Sequence, residues 1–163
     1  LPTDKNLKAA FAGESQANRK YLAFAKKAVE EGFPGVAKLF RAAAEAETIH
    51  AMSELKAMDG VKSTAENLKT AVEGETYEFT EMYPGFISEA EQEGRKDAKR
   101  AFHFANEAEK AHAALYQKAL DALEQKADSD YYICEICGNL HEGSAPDKCS
   151  ICGAPKSKFK NVG

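Results

Sequence analysis

An all-α four-helix bundle followed by a small metal-bound domain of strands and loops is the fold that this sequence predicts. Residues 1–127 are rich in Ala, Glu, Lys, Leu and Phe, and apolar residues recur with a period near 3.6. Gly or Pro interrupts that period at three places and leaves four long stretches. All four cysteines lie between residues 134 and 152, in a segment of aromatics, Gly and Pro. A helical domain over 1–127 and a second domain over 128–163 are therefore expected, joined by the polar segment EQKADSD (124–130).

The chain has 163 residues, enough for one good core and a small appendage. It is 44% hydrophobic and 29% charged, as soluble globular proteins are. A net charge of −4 gives no electrostatic case for nucleic acid or an anionic membrane. No apolar run approaches the ~18–20 residues of a membrane span. The first residues, LPTDKNLKAAF, have no basic segment leading into an apolar one, so no secretory signal is expected and the cytoplasm is the default location. In a reducing compartment, clustered cysteines argue for metal rather than disulfides.

The four helical stretches are expected over roughly 4–31, 34–59, 64–93 and 95–125, with breaks at EGFPG, DGVKS and Gly94. Pro84 falls inside the third, where it should kink the helix or release a backbone bond. The sequence also repeats itself. Gly13-Glu14 matches Gly74-Glu75, and Glu47/His50 match Glu109/His112, at offsets of 61 and 62 residues. Each half reads as a helical hairpin with a Glu on its first helix and Glu-x-x-His on its second.

The inward stripes follow from the spacing. They read Leu7, Phe11, Glu14, Asn18, Tyr21; then Val36, Phe40, Ala43, Glu47, His50; then Leu68, Ala71, Glu75, Glu78, Met82; then Phe102, Ala105, Glu109, His112, Tyr116. Steps of three and four keep each set on one helix face. Each stripe begins apolar and turns acidic. Burying five carboxylates together costs several kcal/mol apiece unless cations neutralise them. Carboxylate oxygens with two imidazoles suit iron or manganese, and a bundle core is where such a dinuclear site is built. Glu30, Glu31, Glu54, Glu89, Glu91 and Glu93 read as solvated, with Glu54 and Glu81 able to support the ligands from behind. His103 and His141 lie off the stripes and read as surface or packing residues. The two halves differ at one carboxylate: three residues after Glu14 stands Ala17, and three after Glu75 stands Glu78.

In the C-terminal segment, CEICG (134–138) and CSICG (149–153) are two Cys-x-x-Cys-Gly turns. Cys134, Cys137, Cys149 and Cys152 can hold one ion tetrahedrally, and the spacing alone suits zinc as well as iron. About 35 residues build little core, so the metal also staples the fold.

Together the motifs GESQANRKY, AEAETIHA, GETYEFTEMYPGF, AEKAHA and the two Cys-x-x-Cys-Gly turns resemble the rubrerythrin family over nearly the whole chain. The resemblance implies a ferritin-like di-iron bundle with a C-terminal rubredoxin-like domain. It implies a non-haem di-iron peroxidase that reduces hydrogen peroxide to water in oxidative-stress defence. Its cofactors would be two non-haem irons and one iron at the four cysteines, with zinc the alternative there. Glu47 and Glu109 would bridge the irons, Glu14 would bind one of them, and Glu75 and His112 would complete the other. Glu78 and His50 would exchange at the first iron with its oxidation state. Tyr21 and Tyr83 match tyrosines beside the di-iron site. Electrons would come from rubredoxin or an NAD(P)H-dependent reductase, since nothing here resembles a nicotinamide or flavin site. Two departures stand out: Ser150 where such turns often carry Pro, and Asn139 where an aromatic is common. An O₂-reducing or ferroxidase protein, and a zinc-ribbon interaction module on a helical scaffold, are the alternative readings.

Chain length adds an expectation about assembly. The ferritin order runs its second and third helices parallel, so the link between them must cross the bundle. DGVKS extends to at most ~18 Å, against ~38 Å for a 25-residue helix. A homodimer that exchanges hairpins resolves the mismatch.

Overall fold

The computed structural model describes residues 1–163, and its elements follow the expected fold class. Four helical stretches precede a small three-stranded domain. They are α1 (Pro2–Glu30), α2 (Pro34–Ala57), a third in which α3 (Thr64–Tyr77), a π-turn (Glu78–Met82) and α4 (Tyr83–Gln92) run on end to end, and α5 (Lys96–Asp121). A 3₁₀ turn over Leu123–Gln125 finishes the last stretch. Strands β1 (Tyr131–Cys134), β2 (Leu140–Glu142) and β3 (Phe159–Asn161) form an antiparallel sheet in the order β2-β1-β3.

Local chemistry sets the helix ends. Pro34 opens α2 at a position whose N–H would have no partner inside the helix. Ser63 caps α3: its Oγ accepts from the Glu66 N–H at 3.3 Å, while Glu66 Oε2 accepts from the Ser63 N–H at 3.2 Å. The repeat is visible in the stops. Gly32 and Gly94 lie 62 residues apart with φ of +80° and +70°, and each lets the chain turn back onto the carbonyls of the preceding helix.

By contact the chain divides into two compact units, Leu1–Lys62 and Ser63–Gly163. In the first, α1 and α2 meet along a seam of buried alanines: Ala25, Ala28, Ala37, Ala44 and Ala51. Small side chains let the backbones approach, and Asn18 crosses the seam to donate to Ala44 O (2.8 Å) and Thr48 Oγ1 (2.9 Å). In the second, α5 packs on α3 and α4 with Ala90, Ala108 and Ala113 buried. An ion pair from Lys118 on α5 to Glu142 on β2 ties the sheet to the helices of this unit. Every buried apolar residue is Ala or Cys, whereas Phe24, Val36, Leu39, Ile49 and Met52 are 45–69% exposed. The seams are closed, but the wider apolar faces stay open.

Pro84 has the consequence its lost N–H foretells. The helix widens just before it, with Tyr83 N–H bonding to Glu78 O, five residues back. This also explains the change in repeat offset. Glu14 and Glu75 are 61 apart, but Tyr21, Phe24 and Phe40 match Tyr83, Phe86 and Phe102 at 62. Both triplets form ring clusters, with Phe24–Phe40 and Phe86–Phe102 centroids each 5.5 Å apart. The inserted residue lies in the π-turn.

Candidate metal centres

Each unit brings together one Glu from its first helical stretch and the Glu-x-x-His of its second. In the first unit these are Glu14 of α1 with Glu47 and His50 of α2; in the second, Glu75 of α3 with Glu109 and His112 of α5. In each group one ligand atom per residue lies within 4.8 Å of the others. His50 Nδ1 is 2.9 Å from Glu47 Oε2, and His112 Nδ1 is 2.7 Å from Glu109 Oε2 and 3.9 Å from Glu75 Oε1.

The electrostatics are those of a site short of positive charge. The hydrogen bond shared with Glu47 raises the Glu14 carboxyl above its usual range, while the same bond and His50 lower Glu47. Burial, then its bond to Glu109 and that residue's charge, push Glu75 up to about 7. Two close carboxylates that divide one proton in this way suit a multivalent cation. Glu78, the first residue of the π-turn, falls outside the three-residue group. Burial and then the charge of Glu75 raise its carboxyl, and His112 partly offsets them. Tyr83 is raised by burial and by Glu78, Glu109 and Glu75, so its phenol stays protonated beside three carboxylates. Tyr21 packs against Phe24 and Phe40. Glu54, expected to be solvated or to support the ligands from behind, has its Oε2 buried without a partner, and its charge acts on Glu14.

The two histidines differ. His50 is 56% exposed and held only by Glu47. His112 is 18% exposed, and its Nε2 lies 2.9 Å from the carbonyl oxygen of Gly138. A carbonyl only accepts, so Nε2 carries the proton and Nδ1 turns its lone pair toward Glu109 and Glu75. Opposed lone pairs at 2.7 Å require a proton or a metal ion between or beside them. An imidazole fixed through its far nitrogen by a backbone carbonyl is oriented for a metal. No sequence signal located this bond, because it depends on where α5 meets the first cysteine turn.

The two cysteine turns mirror one another. Gly138 and Gly153, at φ +78° and +76°, donate to the carbonyls of Cys134 (2.9 Å) and Cys149 (3.0 Å). Sulfurs of Cys134 and Cys152, and of Cys137 and Cys149, are 3.6 Å apart. A tetrahedron with ~2.3 Å metal–sulfur bonds has edges of ~3.8 Å, whereas a disulfide needs ~2.05 Å. The four sulfurs thus fit one ion. Burial raises the Cys149 thiol, but the N–H groups of Cys152 and Ile151 and the thiols of Cys137 and Cys152 outweigh it and bring it down to about 6. Burial dominates at Cys137 and raises it.

The sequence matches the rubrerythrin profile over residues 5–120 and the rubrerythrin rubredoxin-like domain over 132–160. This chain belongs to the rubrerythrin family. It is 40% identical to nigerythrin of Nitratidesulfovibrio vulgaris, with 96% of this chain and 85% of that one covered. It is 37% identical to a putative rubrerythrin of Methanocaldococcus jannaschii, covering 97% and 91%. Fully reduced, all-ferrous nigerythrin superimposes with a TM-score of 0.61 at 38% identity, covering 98% of this chain and 86% of that one. The rubrerythrin fold brings a di-iron domain and a four-cysteine rubredoxin-like site, and this chain presents carboxylate–imidazole groups and four thiols of the chemistry each requires. No helix is long and apolar enough to cross a membrane.

Proposed function

We propose that this chain is a non-haem di-iron peroxidase that reduces hydrogen peroxide to water and recovers its electrons through an iron held by Cys134, Cys137, Cys149 and Cys152. The observation that carries the reading is the double engagement of His112, whose Nδ1 faces Glu109 and Glu75 while its Nε2–H bonds the carbonyl next to Cys137. A redox pair that works in series needs such a short covalent and hydrogen-bonded connection.

Glu14, Glu47, His50, Glu75, Glu78, Glu109 and His112 would hold two irons, with Glu47 and Glu109 bridging. When bound, the irons supply Lewis acidity and single electrons to the peroxide O–O bond. The residues supply the rest. Glu75 and Glu109 fix the charge, His112 holds its Nδ1 lone pair on the ligand side, and Tyr83 keeps a proton beside the carboxylates. His50, with one partner and much exposure, would be the ligand that changes places with Glu78. Domain limits of 1–127 and 128–163 follow the change in composition. Thiols arranged for an ion rather than a disulfide favour a reducing compartment, hence the cytoplasm. A rubredoxin or an NAD(P)H-dependent reductase would be the electron donor.

Rates with peroxide, O₂ and Fe²⁺ compared on one preparation test the activity; peroxide should give the highest kcat/KM. Cys149→Ser should leave a single peroxide turnover by the chemically reduced protein and abolish NAD(P)H-driven cycling. Undiminished cycling in that variant would make the cysteine domain structural.

A further inference from the structure

We infer that Asn139 is a positioning residue for the four-cysteine centre: its side-chain amide hydrogen-bonds the Cys149 sulfur and thereby raises the reduction potential of the iron bound there. The inference rests on iron, not zinc, occupying the four thiols.

Asn139 is polar yet only 3% exposed, and it touches both cysteine turns. Its backbone carbonyl accepts the Cys134 N–H at 2.9 Å, and its backbone N–H bonds the Cys137 sulfur. Its Nδ2 lies 3.9 Å from Cys149 Sγ and 3.2 Å from His141 Nε2. An amide nitrogen has two hydrogens, so one can meet the imidazole nitrogen while the other meets sulfur. Turning the amide over would set its carbonyl oxygen against a thiolate sulfur, acceptor against acceptor. With the amide nitrogen facing sulfur, His141 takes the tautomer whose Nε2 accepts and so holds the amide in place. Its own ring stands edge-on to Phe159, 5.6 Å away on β3.

The second turn contains the control. There Ala154 occupies the position of Asn139: its carbonyl accepts the Cys149 N–H at 2.8 Å, and its N–H bonds the Cys152 sulfur. The backbone role therefore needs no amide side chain. What Asn139 adds is one extra N–H aimed at a sulfur. Burying an amide costs free energy unless it is bonded, and here its bonds reach a ligand and a histidine.

The direction of the effect follows from charge. Four thiolates around ferric iron carry a net −1, and one added electron makes this −2, spread over the sulfurs. A fixed N–H dipole pointing at sulfur stabilises the more negative state and raises the potential. An aromatic at this position would offer sulfur no such donor.

The test uses the full-length protein with iron at the cysteines. Asn139→Leu keeps the volume and removes the donor. Its ferric/ferrous equilibrium should shift several-fold toward ferric, where tenfold corresponds to ~59 mV for one electron. His141→Phe, which frees the amide, should shift it the same way by less. An unchanged midpoint in an Asn139→Leu protein that retains the ferric tetrathiolate absorption overturns the inference. A second measurement needs no variant. In wild-type protein loaded with ¹¹³Cd, a scalar coupling should link the metal to an Asn139 side-chain amide proton through Cys149. No coupling at that proton, with couplings present at backbone N–H groups of the two turns, also overturns it.

Discussion

Glu75 and His112 show how single residues mark a site suited to a cation. Glu75 is held neutral up to about pH 7 by burial and by Glu109, so the metal-free protein binds more protons than its unfolded chain between about pH 4.5 and 7. A carboxyl whose folded pKa is raised stabilises the fold below its unfolded pKa, and that contribution is lost as pH rises through the folded one. Metal-free protein should therefore melt a few degrees lower at pH 8 than at pH 5 on this account. Glu75→Gln should shrink that difference, which thermal unfolding of both proteins at the two pH values checks. Metal reverses the sign: Fe²⁺ must displace the proton, so its affinity should rise toward pH 7 and then level off, with proton release measurable by calorimetry in two buffers. As the proposed bridge, Glu47 would help hold both ions, so Glu47→Ala should lose most bound iron and at least ~10²-fold in peroxidase kcat, the scale on which removing an electrostatic partner acts. Two irons and normal turnover in that variant would sink the bridge. At this scale the sequence was informative where spacing is decisive. Glu-x-x-His falls on one helix face, and the structure groups each pair with the Glu of the neighbouring stretch. The His112–Gly138 bond and the Asn139–His141 pair were not legible, because they join segments 26 and 2 residues apart through a three-dimensional fit that no periodicity encodes.

The π-turn teaches the corresponding lesson for elements. Glu14 and Tyr21 are seven residues apart, nearly two α-turns, so they share a face; Glu75 and Tyr83 are eight apart. One extra residue in an α-helix rotates everything after it by roughly 100°. The π-turn absorbs that residue, and Tyr83, Phe86 and Phe102 meet as Tyr21, Phe24 and Phe40 do. Both clues stand in the sequence, a proline inside a helix and an offset that slips from 61 to 62, but only the backbone shows that they are one feature. Deleting exposed Thr80 should turn the π-turn into α-helix and leave the downstream phase intact. That variant should keep its helicity and melt within a few degrees of wild type. Deleting Ser88 of α4 would turn Ala90 and the rest of α4, as far as Gly94, out of phase with α5, and should cost clearly more stability. Equal melting temperatures for the two deletions would refute the phase argument. The helix boundaries themselves came within about four residues of expectation, the shortfall lying where α5 gives way to the 3₁₀ turn at Leu123.

For the whole molecule, the open apolar faces and the short link between the hairpins bear on assembly. The residues between α2 and α3, 58–63, extend to at most ~22 Å, whereas α2, with 24 residues, is ~36 Å long. One chain therefore has difficulty running its second and third helices parallel in one bundle. Val36 and Leu39, on the open side of α2, are 45% and 69% exposed, and their repeat counterparts on α5 are Ala98 and Ala101. Large side chains on one hairpin and small ones at the matching places on the other suit pairing between unlike hairpins. Glu14 and Glu47 lie in one unit and Glu75, Glu78 and Glu109 in the other, so a site completed by a second chain needs no rearrangement within either unit. We propose a hairpin-exchanged homodimer on these grounds, with Glu14, Glu47 and His50 from one chain facing Glu75, Glu78, Glu109 and His112 from its partner. Complementation separates this from a dimer without exchange. Mix inactive Glu47→Ala chains with inactive Glu109→Ala chains by co-refolding, and isolate the heterodimer by two affinity tags. With exchange, both lesions fall in one site and the other is built entirely from unaltered residues. The heterodimer should then recover about half the wild-type turnover and about half its di-iron content. Without exchange, each site keeps one lesion and activity stays at background. Verified heterodimers that remain inactive, or a monomer that holds a full complement of iron, would rule the exchange out.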